Sequence, residues 1–142
     1  MNIIELTTLG EGQIADFIAL MKELDPDIEV SGRMLQAAAG DPATHLFAIE
    51  EDGRIIACAS LCVCYSPTGA KGSIEDVVVS SAHRGKHLGR ALIEHILDYA
   101  RRELSPIQIK LTSRPSREKA NRLYQSIGFS KYETNVYKYY CE

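Results

Sequence analysis

Between Ile74 and Arg90 the chain reads Ile-Glu-Asp-Val-Val-Val-Ser-Ser-Ala-His-Arg-Gly-Lys-His-Leu-Gly-Arg, the stretch whose residue types and spacing are best suited to chemistry. The β-branched run Val77-Val78-Val79 feeds a short loop that holds Gly85, Gly89 and the basic side chains Arg84, Lys86 and Arg90, and a helical pattern opens immediately. Backbone N–H groups in such a loop, with the unpaired N–H groups of the helix's first turn, form a cradle for an anion. The expected ligand is a phosphate or pyrophosphate. Two nucleotide loops fail against these residues. A P-loop needs GxxxxGK[ST], but three residues separate Gly85 from Gly89, and Arg90-Ala91 replaces the Lys-Ser/Thr pair. The dinucleotide fingerprint GxGxxG fails because, counted from Gly85, His87 occupies its second glycine position.

The elements that must position this stretch follow from periodicity. Ile3 to Thr7 reads as a first strand. Gly10 to Leu24 is helical, with Ile14, Phe17, Ile18 and Met21 at three- and four-residue spacing, and Asp25-Pro26-Asp27 stops it. A shorter helix covers Gly32 to Ala39. Strands at His45 to Glu50 and Arg54 to Tyr65 are joined by Glu51-Asp52-Gly53, a hairpin turn. After a Ser66–Gly69 loop, Gly72 to Val79 is a strand whose valine run suits burial on both faces. Leu88 to Leu104 is the strongest helix, striped by Leu88, Leu92, Ile96 and Tyr99. A strand at Ile107 to Thr112 follows. Ser116 can cap a helix running to Ile127 with Ala120, Leu123, Tyr124 and Ile127 on one face, and Gly128 ends it. Tyr132 to Tyr140 alternates as a last strand, its tyrosines packing a strand face or a dimer interface. The expected fold is α/β: a mixed, mostly antiparallel sheet with helices on both faces, in one domain over residues 1–142.

Composition bounds the partners. With 45% hydrophobic and 25% charged residues the chain is of the soluble globular kind. Sixteen basic against nineteen acidic residues give a formal charge of −3, which argues against a main task of gripping nucleic acid but leaves room for a local basic patch. No segment approaches a membrane-spanning length, and Met1-Asn2-Ile3-Ile4-Glu5 lacks the blocks of a secretion signal, so a cytoplasmic location is the default expectation. Cys58, Cys62 and Cys64 lie in an apolar run where Cys serves as a small hydrophobe, and Cys141 stands near the end. CxxC pairs with distant partners are absent, so no metal site is expected.

Arg84 and Gly89 match the ends of Gln/Arg-x-x-Gly-x-Gly/Ala, the acyl-coenzyme A loop of the GNAT N-acetyltransferases, with His87 at its middle glycine. Downstream, Ala-Asn-Arg-Leu-Tyr-Gln-Ser-Ile-Gly-Phe (residues 120–129) resembles the second signature, Ala-x-x-hydrophobic-Tyr-x-x-x-Gly-Phe. The motifs cover the C-terminal half, and the order of elements is similar over the whole chain. Locally, Ile74 to Gly89 resembles the glucosamine-phosphate N-acetyltransferases, which read Glu-Asp-Val-Val-Val and then Arg-Gly-Lys-Gln-Leu-Gly. The link from Thr112 to Lys119, TSRPSREK, is longer and more basic than theirs.

The resemblance implies the GNAT acyl-CoA N-acyltransferase fold and an N-acetyltransferase with acetyl-CoA as co-substrate and no metal. It implies direct attack of an acceptor amine on the thioester within a ternary complex. Val77, Val78 and Val79 would offer backbone N–H groups to the pantetheine arm and the thioester carbonyl, as an oxyanion hole does. Arg84, Gly85, Lys86, His87, Leu88, Gly89 and Arg90 would hold the pyrophosphate. Tyr124 stands where the family places a tyrosine to protonate the departing thiolate. Glu75 is the candidate base for the ammonium, directly or through water, and Asp76 on the opposite strand face is the reserve. Plainer readings stand beside these: Tyr124 as a core aromatic, Glu75 as a solvated strand residue, His83 and His87 as loop residues, and Arg101, Arg102, Arg114 and Arg117 as solvated charge. The expected acceptor is a small-molecule amine. A peptide or protein amine, a non-catalytic coenzyme A sensor and a tRNA-directed acetyltransferase are the competing readings, and a homodimer stays open.

Overall fold

A computed structural model of the chain describes residues 2–142, and these divide into a larger unit ending at Thr112 and a smaller one, Ser113–Glu142. In the larger unit β1 (Asn2–Leu6), α1 (Glu11–Leu24), α2 (Gly32–Gly40), β2 (Thr44–Glu51), β3 (Arg54–Ser66), β4 (Gly69–Val79), α3 (Leu88–Glu103) and β5 (Gln108–Lys110) follow in order. The strands form one sheet ordered β1-β2-β3-β4-β5, in which every pairing is antiparallel except the parallel β4–β5 pair. The β2–β3 turn takes positive φ at both Asp52 (51°) and Gly53 (76°), the conformation that matches the twist of a two-residue hairpin.

Alternation along the strands divides the core between the sheet's two faces. On one, Leu46, Ala48, Cys58 and Val78 pack with Phe17, Leu20 and Met21 of α1 and Leu35 and Ala39 of α2. On the other, Phe47 meets His95 and Tyr99 of α3 edge-on, at ring-centroid distances of 5.0 and 5.6 Å. The α3 stripe Leu88, Leu92, Ile93, Ile96 and Ala100 is buried. The period-2 strand and the 3.6-period helix thus meet as their patterns require.

A buried carboxylate joins α1 to the hairpin. Asp16, 7% exposed, accepts from Arg54 Nη2 at 2.7 Å and Nε at 3.0 Å, and from the Ile55 amide at 3.0 Å. These donors, Arg54 foremost, hold its carboxyl below the usual aspartate range.

The smaller unit contains α4 (Glu118–Ile127), closed by Gly128 at φ 126°. Three expectations change here and in β4. Arg117, not Ser116, is the residue before α4, and no side chain caps it; the Asn121 amide instead donates to the Arg114 carbonyl at 3.0 Å. Tyr132–Tyr140 forms no strand: Tyr132, Val136, Tyr137, Tyr139 and Tyr140 are exposed, because alternation supplies strand propensity but only a neighbouring ladder makes a strand. In β4 only Val78 of the valine run is buried, Val77 and Val79 being half-buried, so this strand is not covered on both sides. No helix among the described residues is long and apolar enough to cross a membrane.

Candidate active site

Two irregularities shape β4. Its parallel partner β5 pairs only with Lys71, Gly72 and Ser73, so among the described residues no strand continues along that edge from Ile74 to Val79. On the other edge, Ser60 pairs with Glu75 and Cys58 with Val78, which sets Asp76 and Val77 against the single residue Ala59. This is a β-bulge, and Asp76 adopts φ 54° within it. A bulge withdraws a residue from the ladder and re-aims the strand. Val77 is thus part of the bulge, and Val78 and Val79 lie just past it, on a strand with one edge that no described strand pairs.

The chain then makes a 3₁₀ turn at Ser81–His83 and enters the glycine-containing loop. Gly85 takes φ 82°, and nothing lies within 4 Å of where a Cβ would stand, so its surroundings have room for a ligand. His87 takes φ 60° as the residue before α3. The left-handed conformation explains why a glycine would be at ease there, and histidine is among the side chains that tolerate it. Lys86 and His87 are exposed, Leu88 tucks its side chain into the core, and Arg90 on the first turn of α3 pairs with Glu94 at 3.1 Å. Arg84 folds back: its Nε donates to the Val79 carbonyl at 3.2 Å, and its Nη2 lies 3.8 Å from Glu23 Oε1.

Both candidate bases, Glu75 and Asp76, are exposed residues, and the carboxyl of Asp76 is only partly desolvated. Glu75 is exposed and accepts a 2.6 Å hydrogen bond from the Ser73 hydroxyl. The carboxyl of Asp76 is raised above the ordinary aspartate range, first by loss of solvation and then by the neighbouring Glu75 charge. Behind the bulge, Cys58 is buried, its Sγ 3.8 Å from the Asp76 carbonyl, and burial pushes its thiol far up, which removes it from nucleophilic chemistry.

Glu75, the valine run and residues 84–90 thus fall on one continuous path in the larger unit, while Tyr124 belongs to the smaller one. In that unit Tyr124 is 7% exposed on α4, with its ring edge-on to Phe129 at 6.1 Å. Burial raises its hydroxyl above the ordinary tyrosine range, against a smaller opposing pull from Arg117. A shallow, open surface depression at the start of α4 is lined by Ser116, Arg117, Glu118, Lys119, Ala120 and Arg122. No group of three His, Cys, Asp or Glu side chains among the described residues could hold a metal ion. The bulge at Asp76 and the contact to Glu23 have no signature in the local sequence. Both depend on partners many residues away.

The β4 edge, the glycine-containing loop and the first turn of α3 follow one another directly along the chain. The chain belongs to the acetyltransferase (GNAT) family, whose family model matches residues 13–129. It is an acetyl-CoA-dependent N-acetyltransferase. It is 31% identical over 141 residues to a glucosamine 6-phosphate N-acetyltransferase of Trypanosoma brucei brucei, covering 94% of this chain and 93% of the relative. Among solved structures, a Trypanosoma brucei acetyltransferase superposes with a TM-score of 0.76 at 27% identity, covering 98% of this chain and 99% of that one. Glucosamine-6-phosphate N-acetyltransferase from Arabidopsis thaliana superposes with a TM-score of 0.77 at 25% identity, over 99% and 98%.

Proposed function

We propose that residues 1–142 act as one N-acetyltransferase domain that transfers the acetyl group of acetyl-CoA to the primary amine of a small molecule. An anionic amino sugar is the acceptor class to test first. The observation that carries the site is the open edge of β4 past the bulge, which leads directly into an exposed loop and the first turn of α3. Backbone N–H groups on such an edge can be answered by a ligand, and buried unanswered ones are costly. Val77, Val78 and Val79 are the proposed contacts for the pantetheine arm and the thioester carbonyl. Gly85 to Gly89 present backbone amides to the pyrophosphate, with Lys86 and Arg90 adding charge. The open space at Gly85 fits that group.

Acetyl-CoA supplies an activated acyl group on a thiol leaving group. The chain's residues do the rest. Edge N–H groups stabilise the negative charge that develops on the carbonyl oxygen when the amine attacks. Tyr124, a phenol that is neutral at neutral pH as tyrosines ordinarily are, donates its proton toward the departing thiolate. The amine's proton goes to the Glu75–Asp76 pair. Glu75 is the base expected from the strand pattern, and the raised carboxyl of Asp76 sits closer to the range useful near neutral pH. The acceptor preference rests on the amino-sugar phosphate relatives.

A thiol-release assay with acetyl-CoA across amino-sugar phosphates, neutral amino sugars, amino acids and peptides tests this reading. We expect the phosphorylated amino sugars to give the highest kcat/KM. In Tyr124→Phe, kcat should fall about 100-fold while the KM for acetyl-CoA moves less than about threefold. Wild-type turnover in that variant sinks the acid role, and coenzyme A binding with no turnover on any amine would make the chain a sensor instead.

A further inference from the structure

The segment entering the coenzyme A loop is held at several points. The Ser80 amide donates to the Ile56 carbonyl at 2.8 Å, and His83 Nε2 lies 3.1 Å from Glu51 Oε2 at the β2–β3 hairpin. From the other direction comes Glu23, in the last turn of α1, 58 residues away in sequence. Its Oε1 accepts the Ser81 amide at 2.8 Å and lies 3.8 Å from Arg84 Nη2, while Arg84 Nε donates to the Val79 carbonyl. Past Arg84 these ties end, and Gly85, Lys86 and His87 are exposed.

One carboxylate thus clasps both ends of the 81–84 turn, and that turn sets where the strand stops and where the glycines begin. Arg84, the first residue of the loop motif, is turned back onto the strand end. A negative side chain beside an anion cradle would ordinarily weaken the cradle, by repulsion of the phosphate. It is tolerable here because its charge faces the Arg84 guanidinium and its oxygen is spent on a backbone amide. The amide contact is the part that fixes geometry. A side chain that accepts the Ser81 N–H without charge would preserve the loop and remove the repulsion.

We propose that Glu23 is a positioning residue for acetyl-CoA, holding the Ser81–Arg84 turn so that the amides of Gly85 to Gly89 are presented in binding geometry before the ligand arrives. The inference rests on the reading of residues 84–90 as the pyrophosphate site. Preorganisation of this kind acts on affinity, since a loop ordered in advance loses less entropy on binding.

The test compares Glu23→Ala with Glu23→Gln in the full chain, using free coenzyme A as the calorimetric probe, acetyl-CoA kinetics, and hydrogen exchange at the Ser81 amide. Glu23→Ala should weaken coenzyme A binding about tenfold, the size expected for loss of one hydrogen bond to a charged group. The KM for acetyl-CoA should rise with it, kcat at saturation should stay within about twofold, and Ser81 should exchange faster while the Ile49 amide in β2 does not. Glu23→Gln keeps the acceptor and should bind as tightly as wild type or tighter. If Glu23→Ala binds within about twofold of wild type, or both variants bind tighter, the proposal is overturned: Glu23 is then a packing contact or a repelling charge. The double variant Lys86→Ala/Arg90→Ala separates the two levels. If it leaves coenzyme A binding intact, the loop assignment fails; if it weakens binding while Glu23→Ala does not, only the role of Glu23 fails.

Discussion

His87 shows how a single backbone angle decides what a side chain can do. At φ 60° it stands in the left-handed region on the residue before α3, where the family motif has glycine. A side chain there is strained to an extent set by its branching: glycine is free of the strain, histidine tolerates it, and a β-branched residue suffers most. His87→Gly should therefore be at least as stable as wild type, and His87→Val less stable than His87→Gly by about 2 kcal/mol. Urea unfolding midpoints of the two variants check this; equal midpoints would mean that the loop does not hold the left-handed angle in solution. Asp76, at φ 54°, is the same phenomenon inside a strand. Neither angle is legible from residue type alone. At His87 the glycine of the motif gave a hint, whereas at Asp76 the bulge is decided by which residues of β3 stand opposite, and no local pattern encodes that.

Between elements, the tie from Asp16 in α1 to the start of β3 is the clearest case of a charge with a structural task. Its carboxylate satisfies both the Arg54 guanidinium and the buried Ile55 amide. Arg54 is well exposed, so its charge is screened and the amide contact carries more of the stabilisation. The folded-state carboxyl is held below its ordinary range, so the contribution is present above about pH 4 and fades as the pH falls through the lowered value. Asp16→Asn should cost about 1–2 kcal/mol at pH 7, and the gap from wild type should narrow at pH 3. Urea titrations at the two pH values measure it, and a gap that widens on acidification would reverse the assignment. Such ties were invisible in the sequence, where Asp16 reads as one more polar residue on an amphipathic helix. The helices and strands themselves were legible because each carries its own period: α1, α2 and α3 start and stop within a residue or so of expectation. The last strand failed for the complementary reason. Tyr132–Tyr140 has the composition of a strand, but a ladder is a property of two segments, and only one of them is in view when a single stretch is read.

For the molecule as a whole, stability is concentrated in the sheet and its three flanking helices, and the exposed end contributes little to it. A chain ending at Phe129 should melt within about 2 °C of the full-length protein, because exposed residues that bury nothing change stability only slightly. Limited proteolysis should cleave after Phe129 before it opens the sheet; a large loss of melting temperature on truncation would show that the tyrosines are covered in solution. The match of the family over residues 13–129 extends across both compact units, and the signatures that identified it lie in each. That distribution is why the reaction class was legible in the sequence while the acceptor was not: cofactor chemistry is written in contiguous motifs, acceptor shape in the convergence of distant loops. Among the described residues no strand pairs the margin of β4 from Ile74 to Val79 on its β5 side, and this bears on self-association. An unoccupied strand edge is a template that any extended peptide can join, another copy of the same chain included. On the binding mode proposed above, coenzyme A would complete this edge and close it to such pairing, so the ligand-free protein should self-associate more readily than the ligand-bound one.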